Sequence, residues 1–117
     1  MFYNIQKMEL EKLFPGVGFD WNKWNADKIW ENHKVQFSEA EEVFFDINLI
    51  ILPDPTHSIA EERYIALGKT KTSRTLFVVF MERGFDATKK IRIISARDLS
   101  KKERRKYREQ IKKGAGA

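Results

Sequence analysis

The sequence predicts an α+β fold in which N-terminal helices precede a four-stranded antiparallel meander and a basic C-terminal helix. Three observations carry this. Helical spacing of apolar residues is confined to the first forty or so positions and the last twenty. Between them lie four strand-like runs joined by short polar or glycine-bearing links. Strands joined that way are antiparallel neighbours, which excludes an alternating α/β order.

The 117 residues suit one domain with a single core. A hydrophobic share of 42% beside 33% charged residues is that of a globular chain, not a disordered one. The net charge of +5 and pI near 9.5 favour anionic partners. There is no cysteine, which rules out disulfides and thiolate chemistry and fits a reducing cytoplasmic setting. No apolar run approaches the ~20 residues of a membrane span, and charges in MFYNIQKMELEK argue against a signal peptide.

Along the chain, Ile5, Met8 and Leu13 give 4–14 one weak helical face, ended by Pro15-Gly16. This makes 1–16 a helical extension of the domain. Asp20 suits the N-cap of a second helix reaching about Asn32, with Trp21, Trp24 and Ile29 near one stripe; these tryptophans and Trp30 read as core and packing anchors before base-stacking rings. Ser38 and Glu41 have capping-box spacing for a short third helix that points Ala40, Val43 and Phe44 inward.

Leu49–Leu52 is continuously apolar, as in a strand buried on both faces, and Pro53-Asp54-Pro55 stops it. Glu62–Leu67, Arg74–Arg83 and Lys90–Ala96 follow as strands. In the last of these Ile91, Ile93 and Ser95 alternate with Arg92, Ile94 and Ala96. Ser100 lies three residues before Glu103, opening a helix that carries Lys101, Lys102, Arg104, Arg105, Lys106, Tyr107 and Arg108. Residues 112–117 read as a frayed tail.

Strand parity singles out Arg63, Arg83 and Arg97, each at the end of an otherwise apolar strand. One reading is that they snorkel out of a packed sheet. The other is that they converge at one rim and hold a phosphate bidentately. His57, in a polar loop with Glu61 close by, can carry protons or simply turn the loop. His33 ends a helix, where a partly cationic ring favours the dipole. Two isolated histidines and scattered carboxylates provide neither zinc spacing nor a two-metal acidic cluster, so no metal or other cofactor is expected. Lys69, Lys101, Arg104, Arg105 and Arg108 are candidates for gathering RNA, with Tyr107 as an aromatic ring in their field.

Taken in order, the residues resemble the BrnT toxins of type II toxin–antitoxin systems, a branch of the RelE-like ribonucleases. The matching pieces are FDW at 19–21, H-x-V-x-F-x-E-A at 33–40, V-F-x-D at 43–46, LPDPTHS at 52–58 and E-x-R at 61–63. They continue with Leu67-Gly68, VVFMERG at 78–84, RIISAR at 92–97 and E-R-R-x-Y at 103–107. The resemblance spans roughly 19–108. Asn22, Asn25 and Ile29 depart from the family's usual aspartate, lysine and asparagine, and Lys34 from its glycine.

The resemblance implies a compact endoribonuclease toxin that works without metal and blocks translation. It also implies a BrnA-like antitoxin whose ribbon-helix-helix part binds operator DNA, in a hetero-oligomer with the toxin. Within it, Arg63, Arg83 and Arg97 are expected to stabilise charge, and Tyr107, His57 and Glu61 are candidate proton carriers. The alternative is a non-catalytic basic module that grips nucleic acid or an acidic partner.

Overall fold

A computed structural model of the chain describes residues 3–4, 18–54, 62–84 and 90–115. The elements are β1 (Tyr3–Asn4), β2 (Gly18–Phe19), α1 (Lys23–His33), α2 (Phe37–Val43), β3 (Ile50–Pro53), β4 (Tyr64–Lys69), β5 (Thr75–Arg83), β6 (Lys90–Asp98) and α3 (Lys101–Ala115). The expected helix over 4–14 lies almost wholly outside the described residues; Asn4 itself pairs as strand.

The fold is α+β, and the meander β3-β4-β5-β6 is antiparallel throughout. The four-stranded expectation needs correction, because two short strands complete a six-stranded mixed sheet in the order β1-β3-β4-β5-β6-β2. β1 pairs antiparallel with β3, and β2 runs parallel to β6. Two-residue strands carry no readable period, so only their partners could reveal them. α3 also runs on through Ala115, so the expected tail at 112–117 is helical for most of its length.

The register between β5 and β6 slips once. Val79 faces Ser95 but Phe80 faces Ile93, which leaves Ile94 as the extra residue of a β-bulge. Parity along β6 reverses there. Ile91, Ile93 and Ala96 share the face of the main core, whereas Ser95 joins Arg92 and Arg97 on the other face, not Ile93 as strict alternation predicts.

Each face of the sheet has its own core. On one, Ile29 of α1, Val35 and Ala40, Val43 and Phe44 of the α2 region pack on Ala66, Leu76, Val78, Phe80, Ile91, Ile93 and Ala96. On the other, Tyr107 and Ile111 of α3 join Leu99 over Ile50, Leu52, Ile65, Leu67 and Phe77. The β5 residue that α3 reaches is Phe77; neither Val79 nor Met81 belongs to that cluster.

The helix caps differ in detail from expectation. Asn22, not Asp20, caps α1, its Oδ1 accepting from Asn25 N–H at 2.8 Å. Lys34 ends the helix in the left-handed region at φ 54°, donating its N–H to Trp30. Gln36 and Glu39, not Ser38 and Glu41, form the reciprocal box of α2. Glu41 instead accepts from Trp21 Nε1 at 2.8 Å, tying the approach to α1 onto α2. The tryptophan expectation holds only for half-buried Trp21; Trp24 is 69% and Trp30 45% exposed, each with a lysine one turn on over its ring. Ile29 is buried as its place on the stripe predicts, and Asn25 turns inward with it.

Gly68 lets α2 settle on β4. A Cβ there would come within 2.9 Å of Val43 Cγ1 and 3.0 Å of the Val43 carbonyl oxygen. Backbone cannot move aside as a flexible side chain would. Gly68→Ala is therefore expected to destabilise the protein by about 1–3 kcal/mol, read as a lower denaturant midpoint with an unchanged m-value.

Candidate functional site

Strand register gathers cations at one end of the α3 face. Tyr64 stacks on Phe80 against the main core, so Arg63 before it and Ile65 after it project to the opposite side. Continuing the β4–β5 register sets Arg63 beside Met81, and Met81 is itself paired with Arg92. Two residues further along β5, Arg83 lies opposite Lys90. Arg63, Arg83, Lys90 and Arg92 thus occupy one face and one end of the sheet.

Directly opposed like charges on a sheet repel. Among the described residues the side chains of Arg83 and Lys90, both exposed, make no hydrogen bond or ion pair. Arg92 donates from Nη1 to Asp20 Oδ2 at 2.9 Å. Such a corner is suited to an anion that can bridge several guanidinium groups.

Arg97 is not there. It shares the face but stands opposite Phe77, six residues from Arg83 along β5, or about 20 Å at strand rise. Its guanidinium is committed to Glu103 by two hydrogen bonds of 2.7 and 3.0 Å and stacks on the Phe77 ring at 4.1 Å. Glu103 also accepts from Ser100 N–H at 2.8 Å, while Ser100 Oγ accepts from Glu103 N–H, so the predicted capping box is formed and has Arg97 locked into it. Chiefly through the Arg97 hydrogen bonds, the Glu103 carboxyl is held down at about 2.

Tyr107 is 2% exposed, and its phenol donates to Asp46 Oδ2 at 3.0 Å. Burial first, and Asp46 second, raise its pKa. Asp46 also accepts from Lys69 N–H at 2.8 Å and Asn48 N–H at 3.2 Å. The tyrosine expected to carry protons is thus a latch joining α3 to the α2–β3 turn and to β4. His57 and Glu61 lie outside the described residues.

The RNA-gathering candidates Lys69, Lys101, Arg104, Arg105 and Arg108 are all exposed. Lys69, Arg104 and Arg108 line a cleft of about 290 Å³ with Ser73, Arg74, Thr75, Asp98 and Tyr107, at the end of the sheet away from Arg83. Arg74 is not free to bind there. Nε and Nη2 hold Asp98 at 2.7 and 2.9 Å, Nη1 meets Glu39 and the Lys34 carbonyl, and Nη2 also reaches the His33 carbonyl. The hydrogen bonds to Arg74 lower the Asp98 pKa, with lesser help from Arg104 and His33.

Two residues matter here that had been assigned no role at the site. Arg74 was legible only as the start of a strand; its ties to α1, α2 and β6 are all long-range. Arg92 did carry a signal, since it alternates with buried Ile91 and Ile93 and so had to face away from the core. Among the described residues no three histidine, aspartate or glutamate side chains gather as a metal site, and no helix is long and apolar enough to cross a membrane.

A family model described as "Ribonuclease toxin, BrnT, of type II toxin-antitoxin system" matches residues 21–103, well over half of the chain. No curated protein matches it.

The Arg97–Glu103 ion pair and the Tyr107–Asp46 hydrogen bond titrate in opposite directions. Glu103 is depressed, so its contribution is present above its ordinary value of 4.5 and lost as pH falls toward about 2. Glu103→Gln should flatten the acid limb of a stability–pH curve over that range. The Tyr107 pKa is raised, so its contribution is intact below about 10 and declines as pH climbs beyond. Tyr107→Phe should remove that alkaline loss. Asp46→Ala, by stranding the buried phenol, should cost about 1–3 kcal/mol and speed amide exchange in α3.

Proposed function

Because the chain belongs to the BrnT family of ribonuclease toxins from type II toxin–antitoxin systems, we propose that it is a metal-independent, RelE-like endoribonuclease whose phosphate site is built on Arg63 and Arg83. The observation that carries the site is their placement on one face and at one end of the sheet, with Arg83 unpaired among the described residues.

Cleavage of RNA without a metal needs three things. A base takes the proton of the 2′-hydroxyl, whose oxygen attacks the adjacent phosphorus. Cations stabilise the phosphorane as negative charge builds on its equatorial oxygens. An acid protonates the 5′-oxygen as the P–O5′ bond breaks, leaving a 2′,3′-cyclic phosphate. Arginine suits the second task, because its planar fork engages two phosphoryl oxygens and stays charged throughout. His57 and Glu61 are the proposed proton carriers, on their closeness in sequence to Arg63. Arg97 and Tyr107 act from behind, fixing β6 to α3 and α3 to the α2–β3 turn.

Lys69 at the end of β4 and Lys101, Arg104, Arg105 and Arg108 of α3 extend the cationic field and gather the RNA strand. The same surface suits the acidic part of a BrnA-like antitoxin, whose ribbon-helix-helix part would take the complex to operator DNA. The working place is the cytoplasm, and the outcome is a block of translation.

Purified protein is expected to cleave RNA in excess chelator. Arg83→Ala should slow cleavage by roughly 100-fold with an unchanged circular dichroism spectrum. Equal cleavage by that variant would remove Arg83 from the site. Absence of cleavage by the unmodified protein, on both free and ribosome-bound RNA, would overturn the ribonuclease reading itself.

A further inference from the structure

We infer that Arg92 is a third phosphate-binding guanidinium of this site and that Asp20 is its positioning residue. The inference rests on the ribonuclease reading above and deepens it. Asp20 lies in the FDW piece and Arg92 opens the RIISAR piece, but no role at the phosphate site has been given to either.

Three observations lead to it. First, Arg92 stands directly across from Met81, with Arg63 alongside Met81 on the other flank. The three residues form one row across β4, β5 and β6, and Arg83 and Lys90 form the next row toward the end of the sheet. Arg83 is diagonal to both Arg63 and Arg92, about 7–8 Å from each, and those two lie two strand spacings, about 10 Å, apart, within reach of long arginine side chains closing on one phosphodiester.

Second, Arg92 has capacity to spare. A guanidinium carries five N–H donors. Among the described residues Arg92 makes a single hydrogen bond, from Nη1 to Asp20. Arg74 and Arg97 differ, each holding a carboxylate with two nitrogens and at least one backbone carbonyl besides. Those two are committed to the fold through two or more nitrogens; Arg92 is tethered through one. Its side chain is 24% exposed, so solvent reaches it without leaving it loose.

Third, Asp20 is fixed by backbone. It follows β2, and its N–H donates to the Ile91 carbonyl at 2.9 Å, adjacent to Arg92 itself. The carboxylate is thereby delivered from the edge strand to the arginine. If the pair served only to clamp β2 on β6, the backbone bonds of that parallel pairing would already do so. What the carboxylate adds is a defined orientation for one cation in a cluster where like charges would otherwise drive it outward.

The test uses two readouts that simple clamping would not move. With a 2′-O-methyl RNA hexamer, which cannot be cleaved, binding is followed across salt concentration. Arg92→Gln is expected to weaken binding and to reduce the slope of log Kd against log salt by about 0.7, the release of one counterion from a single strand. Asp20→Asn keeps the cation and removes a local negative charge. It should bind the hexamer as tightly as the unmodified protein or more so, yet cleave ordinary RNA about tenfold more slowly, and Asp20→Glu should recover part of that rate. Thermal midpoints of all variants are measured alongside.

An unchanged slope and affinity for Arg92→Gln, where Arg83→Gln loses both, would refute Arg92 as a contact while leaving the ribonuclease reading intact. Full cleavage by Asp20→Asn would refute its positioning role. Parallel losses of binding, cleavage and thermal midpoint in both variants would mark the pair as a clamp and overturn the inference. Failure of the unmodified protein to cleave any RNA would strike the underlying reading instead.

Discussion

The β-bulge at Ile94 decides which way the chain's cations point. A regular strand would place Arg92 and Arg97, five residues apart, on opposite faces of the sheet. The extra residue reverses parity between them, so Ala96 follows Ile91 and Ile93 into the main core and both arginines emerge on the α3 side. From that point the C-terminal half of the fold is determined by short links. Arg97 meets Glu103 in the first turn of α3, Glu103 is already engaged with Ser100, and Leu99 drops into the small core under Tyr107. Without the bulge, Arg97 would aim into the packed face and the helix would lose its anchor.

The arginines also divide by task. Arg74 and Arg97 are surrounded by carboxylates and carbonyls, and each links elements far apart in sequence. Such multiply bonded cations are expensive to displace, because removing one partner strands the others. Arg83 and Lys90 sit opposite one another without a counter-charge among the described residues. A cross-strand pair of like charge costs stability, and this pair stands exposed at one corner of the sheet. An anionic ligand is the natural complement of that arrangement, and RNA is the anion the family acts on.

What sequence could give was the part written in local chemistry. The meander followed from four apolar runs and their polar links. The box at Ser100 and Glu103 was visible as a three-residue spacing, and parity put Arg63 and Arg83 on the ends of strands. What it could not give depended on partners distant in the chain. β1 and β2 are two residues each and exist only because β3 and β6 offer them edges. Ile29 was readable on the inward stripe, but Trp24 and Trp30 looked like anchors by size, and it is the smaller Asn25 that joins Ile29 against the sheet. Asp20 resembled a helix cap because caps and salt-bridge partners draw on the same residue types; its commitment to Arg92 seventy-two positions away left no local trace.

Tyr107 shows why residue type alone misleads about chemistry. A tyrosine amid lysines and arginines invites a role as acid or stacking ring, and an exposed phenol beside cations would have its pKa lowered. Here the ring is buried and its hydroxyl is tied to Asp46, so the pKa moves the other way. Asp46 in turn holds the Lys69 amide next to Gly68, the point at which α2 touches β4 most closely. One carboxylate therefore registers α2, β4 and α3 against each other, bridging the two cores through the turn that separates them. The cationic helix can carry so many like charges on its outer surface because its inner surface is pinned by this bond and by apolar contact. Its lysines and arginines are left to act on whatever approaches from solvent.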